Sequence, residues 1–307
     1  MCGPGAPQVM HTVDEHVAVR MYCVRSTSTA RWPKSTWRLT HDDISSGGRP
    51  GALVSERVPT NVDLARRLLR AAADQRSDII VFPELFLCSY DLSALKTDPQ
   101  LFVEPGDRFC RTLAADCRKL GVNAIVGAAV WDRIDGRCIN GALVFNDRGQ
   151  LVDTYAKLHL WKSEREVFSP GARQVICELA GVCVGIAICY DAGFPEHFRA
   201  LVLGGADLVA CPSAFAVGEE ERPYRLYFPT RSLENTVYTA ATNAIGSQGG
   251  DCFFGDSLIC EPDGRIAITA KDDENVPSWS VDFAVLERAR QELPYLRDLT
   301  SGLDSFG

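Results

Sequence analysis

Three short stretches hold residue types that can do chemistry together. In VGIAICYDAGFPE, residues 184–196, an apolar run stops at Cys189 and the chain turns polar, with Pro195 and Glu196 marking the first turn of a following helix. A thiol in such a turn lies near amide donors and a positive helix end, which lower its pKa and generate the nucleophilic thiolate. The stretch by itself leaves a second reading open, because this chain has 12 cysteines and thiols also serve as small packing residues. In IIVFPELF, residues 79–86, Glu84 directly follows an apolar strand. A carboxylate at a strand end of an α/β fold faces a cleft, and partial desolvation raises its pKa toward general-base use, although a solvated loop glutamate would fit the same letters. In YAKLHLWKSE, residues 155–164, Lys157 sits among Tyr155, Leu158, Leu160 and Trp161. A lysine in apolar company needs a partner or a purpose, unless it only lays its methylenes on the surface.

The elements that position these stretches follow from periodicity. Asn61 is placed to cap a helix running to Ala73, with Ala65, Leu68, Leu69 and Ala72 on one face. SDIIVFPE reads as a buried strand, 107–120 as a helix, 123–131 as a strand, and 139–145 and 151–155 as strands joined by the turn NDRG. Beyond them, 182–189 reads as a strand, 195–203 as a helix, 207–211 as a strand, 224–235 as a helix and 237–242 as extended. Residues 253–260 are expected to pair with 266–269 through EPDG. Strands outnumber what a doubly wound sheet requires and several neighbours look like hairpins, which points to α/β layers with mixed sheets.

Composition narrows the function classes. The chain has 307 residues, 46% of them hydrophobic and 23% charged, as expected of a globular protein. A net charge of −8 without a Lys/Arg cluster argues against a nucleic-acid surface. No stretch approaches the ~18 apolar residues of a membrane span, no export signal opens the chain, and the cysteines read as reduced thiols, so a cytoplasmic location is expected. No CxxC pair occurs and the five histidines do not fall at metal-ligand spacings, so no metal is expected. No linker divides the chain. Residues 1–307 read as a single domain with a loose leader, 1–16, and an irregular segment, 26–57, in which Trp32 and Trp37 suggest some packing.

Taken together, Phe82-Pro83-Glu84, Lys157-Leu158-His159-Leu160 and the stretch from Cys189 to Glu196 resemble the motifs of the nitrilase, or carbon-nitrogen hydrolase, superfamily. The likeness continues through FSPG (168–171), RSLEN (231–235), TNAIG (242–246) and GDSLICEPDG (255–264), and covers roughly residues 57–300. It implies a four-layer αββα sandwich assembled into a homodimer or larger homo-oligomer, with Glu84, Lys157 and Cys189 as catalytic residues. A second glutamate seven residues after the lysine is implied as well, at Glu164. Its competing reading is a solvated charge in KSERE. Tyr90, Tyr190, Ser213 and Phe215 stand where the family lines its substrate pocket, and each could equally be packing.

Two departures from the family pattern stand out. The segment between the first strand and the first helix is long, which predicts a border to the site mouth or to an oligomer interface. Ala192 and Gly193 are smaller than the family's usual residues, which predicts a wider pocket. The resemblance implies hydrolysis of a small carboxamide or N-carbamoyl amine through a thioester on Cys189, with Lys157 and the Tyr190 N–H at the oxyanion and no cofactor. An acyltransferase or amide synthase, a nitrilase using the same residues, and a non-catalytic scaffold are the alternatives.

Overall fold

The computed structural model describes residues 16–21, 56–270 and 278–302. The expected leader apart from His16, and the irregular segment apart from its last two residues, lie outside them, as do Trp32 and Trp37. In chain order the first half runs β1 (His16–Met21), α1 (Arg57–Asp74), β2 (Ile79–Val81), α2 (Leu92–Leu95), α3 (Arg108–Leu120), β3 (Asn123–Asp132), β4 (Arg137–Phe145) and β5 (Leu151–Ala156). The second half runs β6 (Ile176–Leu179), β7 (Val182–Ile186), α4 (Pro195–Leu203), β8 (Leu208–Ser213), α5 (Glu221–Asn235) and β9 (Tyr238–Asn243). It closes with β10 (Ile245–Gln248), β11 (Asp251–Phe254), β12 (Ser257–Cys260), β13 (Ile266–Ala270), β14 (Ser278–Asp282), α6 (Phe283–Glu292) and α7 (Tyr295–Gly302). Among the described residues no helix is long and apolar enough to cross a membrane.

Two six-stranded sheets, ordered β14-β1-β2-β3-β4-β5 and β13-β12-β9-β8-β7-β6, make the framework. In each, three central strands are parallel and antiparallel strands flank them, some joined as hairpins. Alternation along the strands decides what each face touches. Ile79, Val81, Ile125, Ala142 and Val144 face the second sheet and pack with Val184, Ile186, Leu208 and Ala240. Their neighbours Ile80, Ala124, Val126, Leu143 and Phe145 face the other way, onto Val62, Leu69 and Leu113 of α1 and α3. Phe198 and Leu201 of α4 and Phe228 of α5 cover the second sheet in the same manner. The order of layers is therefore helix, sheet, sheet, helix, the αββα sandwich that the resemblance implies.

Two sequence expectations are corrected. Asn61 does not cap α1, which starts at Arg57 with Pro59 in its first turn. Asn61 is buried, and its Nδ2 donates to the carbonyls of Phe86 and Leu87 at 2.9 and 3.1 Å, tying the helix to the loop after Glu84. Residues 253–260 are not one strand, because Gly255 and Asp256 take positive φ (70° and 56°) and break the run. Phe253 belongs to a separate hairpin of β10 and β11, while β12 pairs with β13.

The loop that carries Glu84 lies directly on β3. A Cβ at Gly127 would come 2.0 Å from the Pro83 carbonyl oxygen and 2.9 Å from Glu84 Cα, so only glycine permits this approach. Gly127→Ala is expected to lower stability by about 1–3 kcal/mol, read as a reduced urea midpoint. An unchanged midpoint would show that the loop is not wedged against the strand.

Candidate active site

The parallel strands end on one side of the sandwich, and the three chemical stretches meet there. Phe82 N donates to the Ile125 carbonyl, which prolongs β2, and Glu84 N reaches the Ser213 carbonyl at the end of β8 (3.4 Å). Lys157 follows β5, and its N–H donates to the Asn140 carbonyl of β4 at 2.9 Å. Glu164 sits in the 3-10 turn Lys162–Glu166, where its Oε2 accepts from Trp161 N at 2.8 Å. Cys189 opens a second 3-10 turn, Cys189–Gly193, with φ of +46°. That left-handed value is uncommon for a residue other than glycine, and the neighbouring bonds must hold it.

Lys157 and Glu164 are wholly buried and Glu84 is nearly so. Lys157 Nζ donates to Glu84 Oε1 at 2.7 Å and to Glu164 Oε1 at 2.9 Å. The charge cluster KSERE divides here, for Glu166 lies on the surface and accepts from Lys96 at 2.6 Å. Asn140 Nδ2 donates to the same two oxygens, Glu84 Oε1 at 2.7 Å and Glu164 Oε1 at 3.3 Å. Glu84 Oε2 is buried without a hydrogen-bond partner among the described residues.

Burial drives the proton affinities. Desolvation, with the Glu164 charge adding to it, pushes Glu84 up to about 7 although Lys157 and Asn140 pull it down. Burial would by itself lower Lys157, but the Glu164 and Glu84 charges outweigh it and hold the ammonium well above its ordinary range. Burial and then the Glu84 charge raise the Cys189 thiol, against the opposing pull of Lys157 and the Ala214 N–H. The turn was expected to favour the thiolate. Instead burial and the Glu84 charge favour the thiol, and α4 begins only at Pro195, beyond the intervening turn.

A cleft of ≈ 370 Å³ opens over Cys189, walled by Trp161, Tyr190, Phe215, Pro223 and Tyr227, with Lys162, Glu219 and Glu220 among its lining. Tyr190 and Phe215, read from the sequence as pocket residues, are both in this lining. Tyr90 does not line the cleft: its hydroxyl donates to Glu164 Oε1 at 2.7 Å. Ser213 is also placed elsewhere, fully buried with its hydroxyl turned to the Cys211 carbonyl at 2.9 Å. Ala192 is buried, and its carbonyl accepts from Arg231 Nε at 3.0 Å. Gly193 leaves room beside the Tyr227 hydroxyl, 3.6 Å from where a Cβ would stand.

Asp191 is the residue that the sequence reading passed over in the cysteine turn. Its buried carboxylate accepts from Ile188 N (2.9 Å), Tyr155 OH (2.7 Å), and both the N and Nδ1 of His159 (3.0 and 2.7 Å). His159 stacks on Phe194, with ring centroids 3.6 Å apart. Asp191 so ties the start of the cysteine turn to Tyr155 and to the segment after β5, and the Lys157 and Cys189 stretches become one unit.

Residues 44–291 match the family described as Carbon-nitrogen hydrolase. The chain belongs to that family. A nitrilase of Pyrococcus abyssi (strain GE5 / Orsay) is 30% identical over 234 residues, 75% of this chain and 86% of its own length. The 2-oxoglutaramate amidase of Bacillus subtilis (strain 168) is 28% identical, over 75% of this chain and 87% of its own. Nit3 of Saccharomyces cerevisiae, described as a member of branch 10 of the nitrilase superfamily, superposes with a TM-score of 0.76 at 21% identity, covering 94% of this chain and 97% of that one. The chain is thus a hydrolase of carbon-nitrogen bonds within the nitrilase superfamily, on its amidase-like side.

Burial raises the proton affinity of Asp191, but its hydrogen bond from His159, the nearby His197 and Lys157 charges and the Ile188 N–H more than offset this, and its pKa is lowered from the ordinary value. A carboxylate with a depressed folded pKa stabilises fully above its unfolded value of about 3.9, and that contribution fades as pH falls toward the folded one. Asp191→Asn should therefore flatten the loss of stability on acidification in that window. The check is the thermal midpoint of both proteins from neutral pH into the acid range; parallel curves would contradict the account.

Proposed function

We propose that the protein hydrolyses a small carboxamide or N-carbamoyl amine through a thioester on Cys189. The observation that supports this most directly is the buried ammonium of Lys157 held between Glu84 and Glu164, with Glu84 Oε2 unengaged among the described residues, while Cys189 lines the neighbouring cleft. Because the thiol rests protonated, it needs a base, and Glu84 near neutrality is matched to taking and returning a proton.

In this reading the Cys189 thiol adds to the carbonyl carbon while its proton passes to Glu84 Oε2. The ammonium has three N–H groups, two of them engaged by carboxylates, so the third can meet the developing oxyanion together with the Tyr190 N–H. Collapse breaks the C–N bond, and the nitrogen departs as ammonia or an amine with the proton from Glu84. Water then attacks the thioester, Glu84 takes its proton, the carboxylate leaves and the thiol reforms. Glu164 orients Lys157 and the substrate nitrogen. The aromatic walls and the size of the cleft favour a compact acyl group.

Single-turnover mixing with a panel of small amides, N-carbamoyl amines and nitriles, followed by acid quenching and peptide mass analysis, tests this reading. Acylation should fall on the Cys189 peptide, with ammonia or amine released from amides. Glu164→Gln should lose at least ~10² in acylation rate, while Glu166→Gln, on the surface, should behave as wild type. An adduct on another cysteine, or equal behaviour of the two glutamine variants, would refute it. Product formed only from nitriles, or only with an amine acceptor, would move the assignment to a nitrilase or an acyltransferase.

Assembly and location belong to the same proposal. Leu226 and Leu233, exposed and seven residues apart on α5, form an apolar strip suited to a second copy. The described cysteines form no disulfide with one another, which suits the reducing cytoplasm. Light scattering should give a dimer or larger that Leu226→Glu with Leu233→Glu dissociates; a monomeric parent would sink this part.

A further inference from the structure

Lys157 Nζ and Asn140 Nδ2 each bridge the same two oxygens, Glu84 Oε1 and Glu164 Oε1, so donors and acceptors alternate around a closed ring of four. We propose that Asn140 is a positioning residue of this centre: its side-chain amide clamps the two carboxylates onto Lys157 and so keeps Glu84 Oε2 free as the proton acceptor. The proposal rests on the reading of Glu84 as the base for Cys189.

The orientation of the amide is forced. Turned the other way, Oδ1 would face two carboxylate oxygens with no proton between them, whereas as placed both N–H groups are used. That choice leaves Asn140 Oδ1 buried with no partner among the described residues, a cost the site accepts in return for two donors. The backbone of Asn140 contributes as well, since its carbonyl takes the Lys157 N–H at 2.9 Å. The residue is itself buried and fixed in the interior of β4, paired to Ala129 of β3, with the adjacent Gly141 paired to Ala156 of β5. One side chain and one carbonyl thus set three of the charged groups from a rigid strand.

Neutrality matters here. The groups whose charges act on Glu84, or that it acts on, are Lys157, Glu164, the Cys189 and Cys211 thiols and the Tyr90 hydroxyl. Lys157 is the only cation among them, against two carboxylates. A neutral amide adds donors without adding charge. Alanine would remove both donors and aspartate would add a third negative charge, and each change makes Glu84 hold its proton more tightly.

The test compares Asn140→Ala and Asn140→Asp with the parent protein in two readouts. One is the pH dependence of Cys189 alkylation by iodoacetamide, followed by peptide mass. The other is the pH dependence of kcat/KM on an amide that the parent hydrolyses. The acid limb of both profiles should move up by roughly one pH unit, with rates below the limb falling about tenfold and recovering on the alkaline side. A folded variant whose limb stays in place, or whose rate falls equally at every pH, overturns the proposal, and so does failure of both variants to fold. If the parent hydrolyses no amide, the proposed reaction is wrong and the alkylation profile alone decides the role of Asn140.

Discussion

Everything at this site depends on holding one buried ammonium against two buried carboxylates. Removing a single ion from water costs several kcal/mol even after relaxation, so Lys157, Glu84 and Glu164 can occupy the interior only together. Their 2.7 and 2.9 Å contacts make the cluster mutually dependent, and Glu84 arrives from a segment 73 residues before Lys157. The sheet that orders β2-β3-β4-β5 must therefore assemble before the cluster exists, and the cluster in turn fixes the ends of β2 and β5 and the turn at residues 162–166. A net negative cluster next to a thiol has a chemical consequence. It discourages a standing thiolate and leaves Glu84 with a proton affinity suited to moving one.

The cysteine turn is held by a second buried charge. Asp191 gathers the Ile188 N–H, the Tyr155 hydroxyl and two donors of His159, and by doing so supports the left-handed backbone at Cys189. The two centres share a scaffold, since Tyr155 and His159 flank Lys157 in sequence. The same short segment thus sets the cation on one side and the nucleophile's turn on the other, which restrains their separation without a direct bond between them.

Much of this was legible in the sequence, and the parts that were not have physical reasons. Apolar runs that stop at Glu84 and Cys189 announce strand ends, because strands buried on both faces read as continuous hydrophobic stretches. Glu164 was marked only by the family resemblance, since composition cannot tell which of two nearby glutamates a 3-10 turn will bury. Asn140 gave no signal, being one polar letter in a strand whose partners lie 56 and 24 residues away. Asp191 was visible as a letter of the cysteine motif, but its role depends on Tyr155 and His159, more than thirty residues earlier. Asn61 was read as a cap because its side chain suits one, while Pro59, acceptable in a first helical turn, marked the earlier start. Tyr90 and Ser213 stand near the site in sequence terms, yet one serves Glu164 and the other its own strand, a distinction that only side-chain direction makes.

Burial and the neighbouring carboxylate bring Glu84 to a proton affinity near neutrality while Lys157 stays charged. Isotope-edited infrared spectroscopy across a pH titration, with Glu84→Gln as the reference, measures this without any substrate. A protonated-carboxyl band, absent from the variant, is expected to grow as pH falls through about 7. A Glu84 carboxylate that persists unprotonated well below pH 6, into the ordinary range of an exposed glutamate near 4.3, would contradict it.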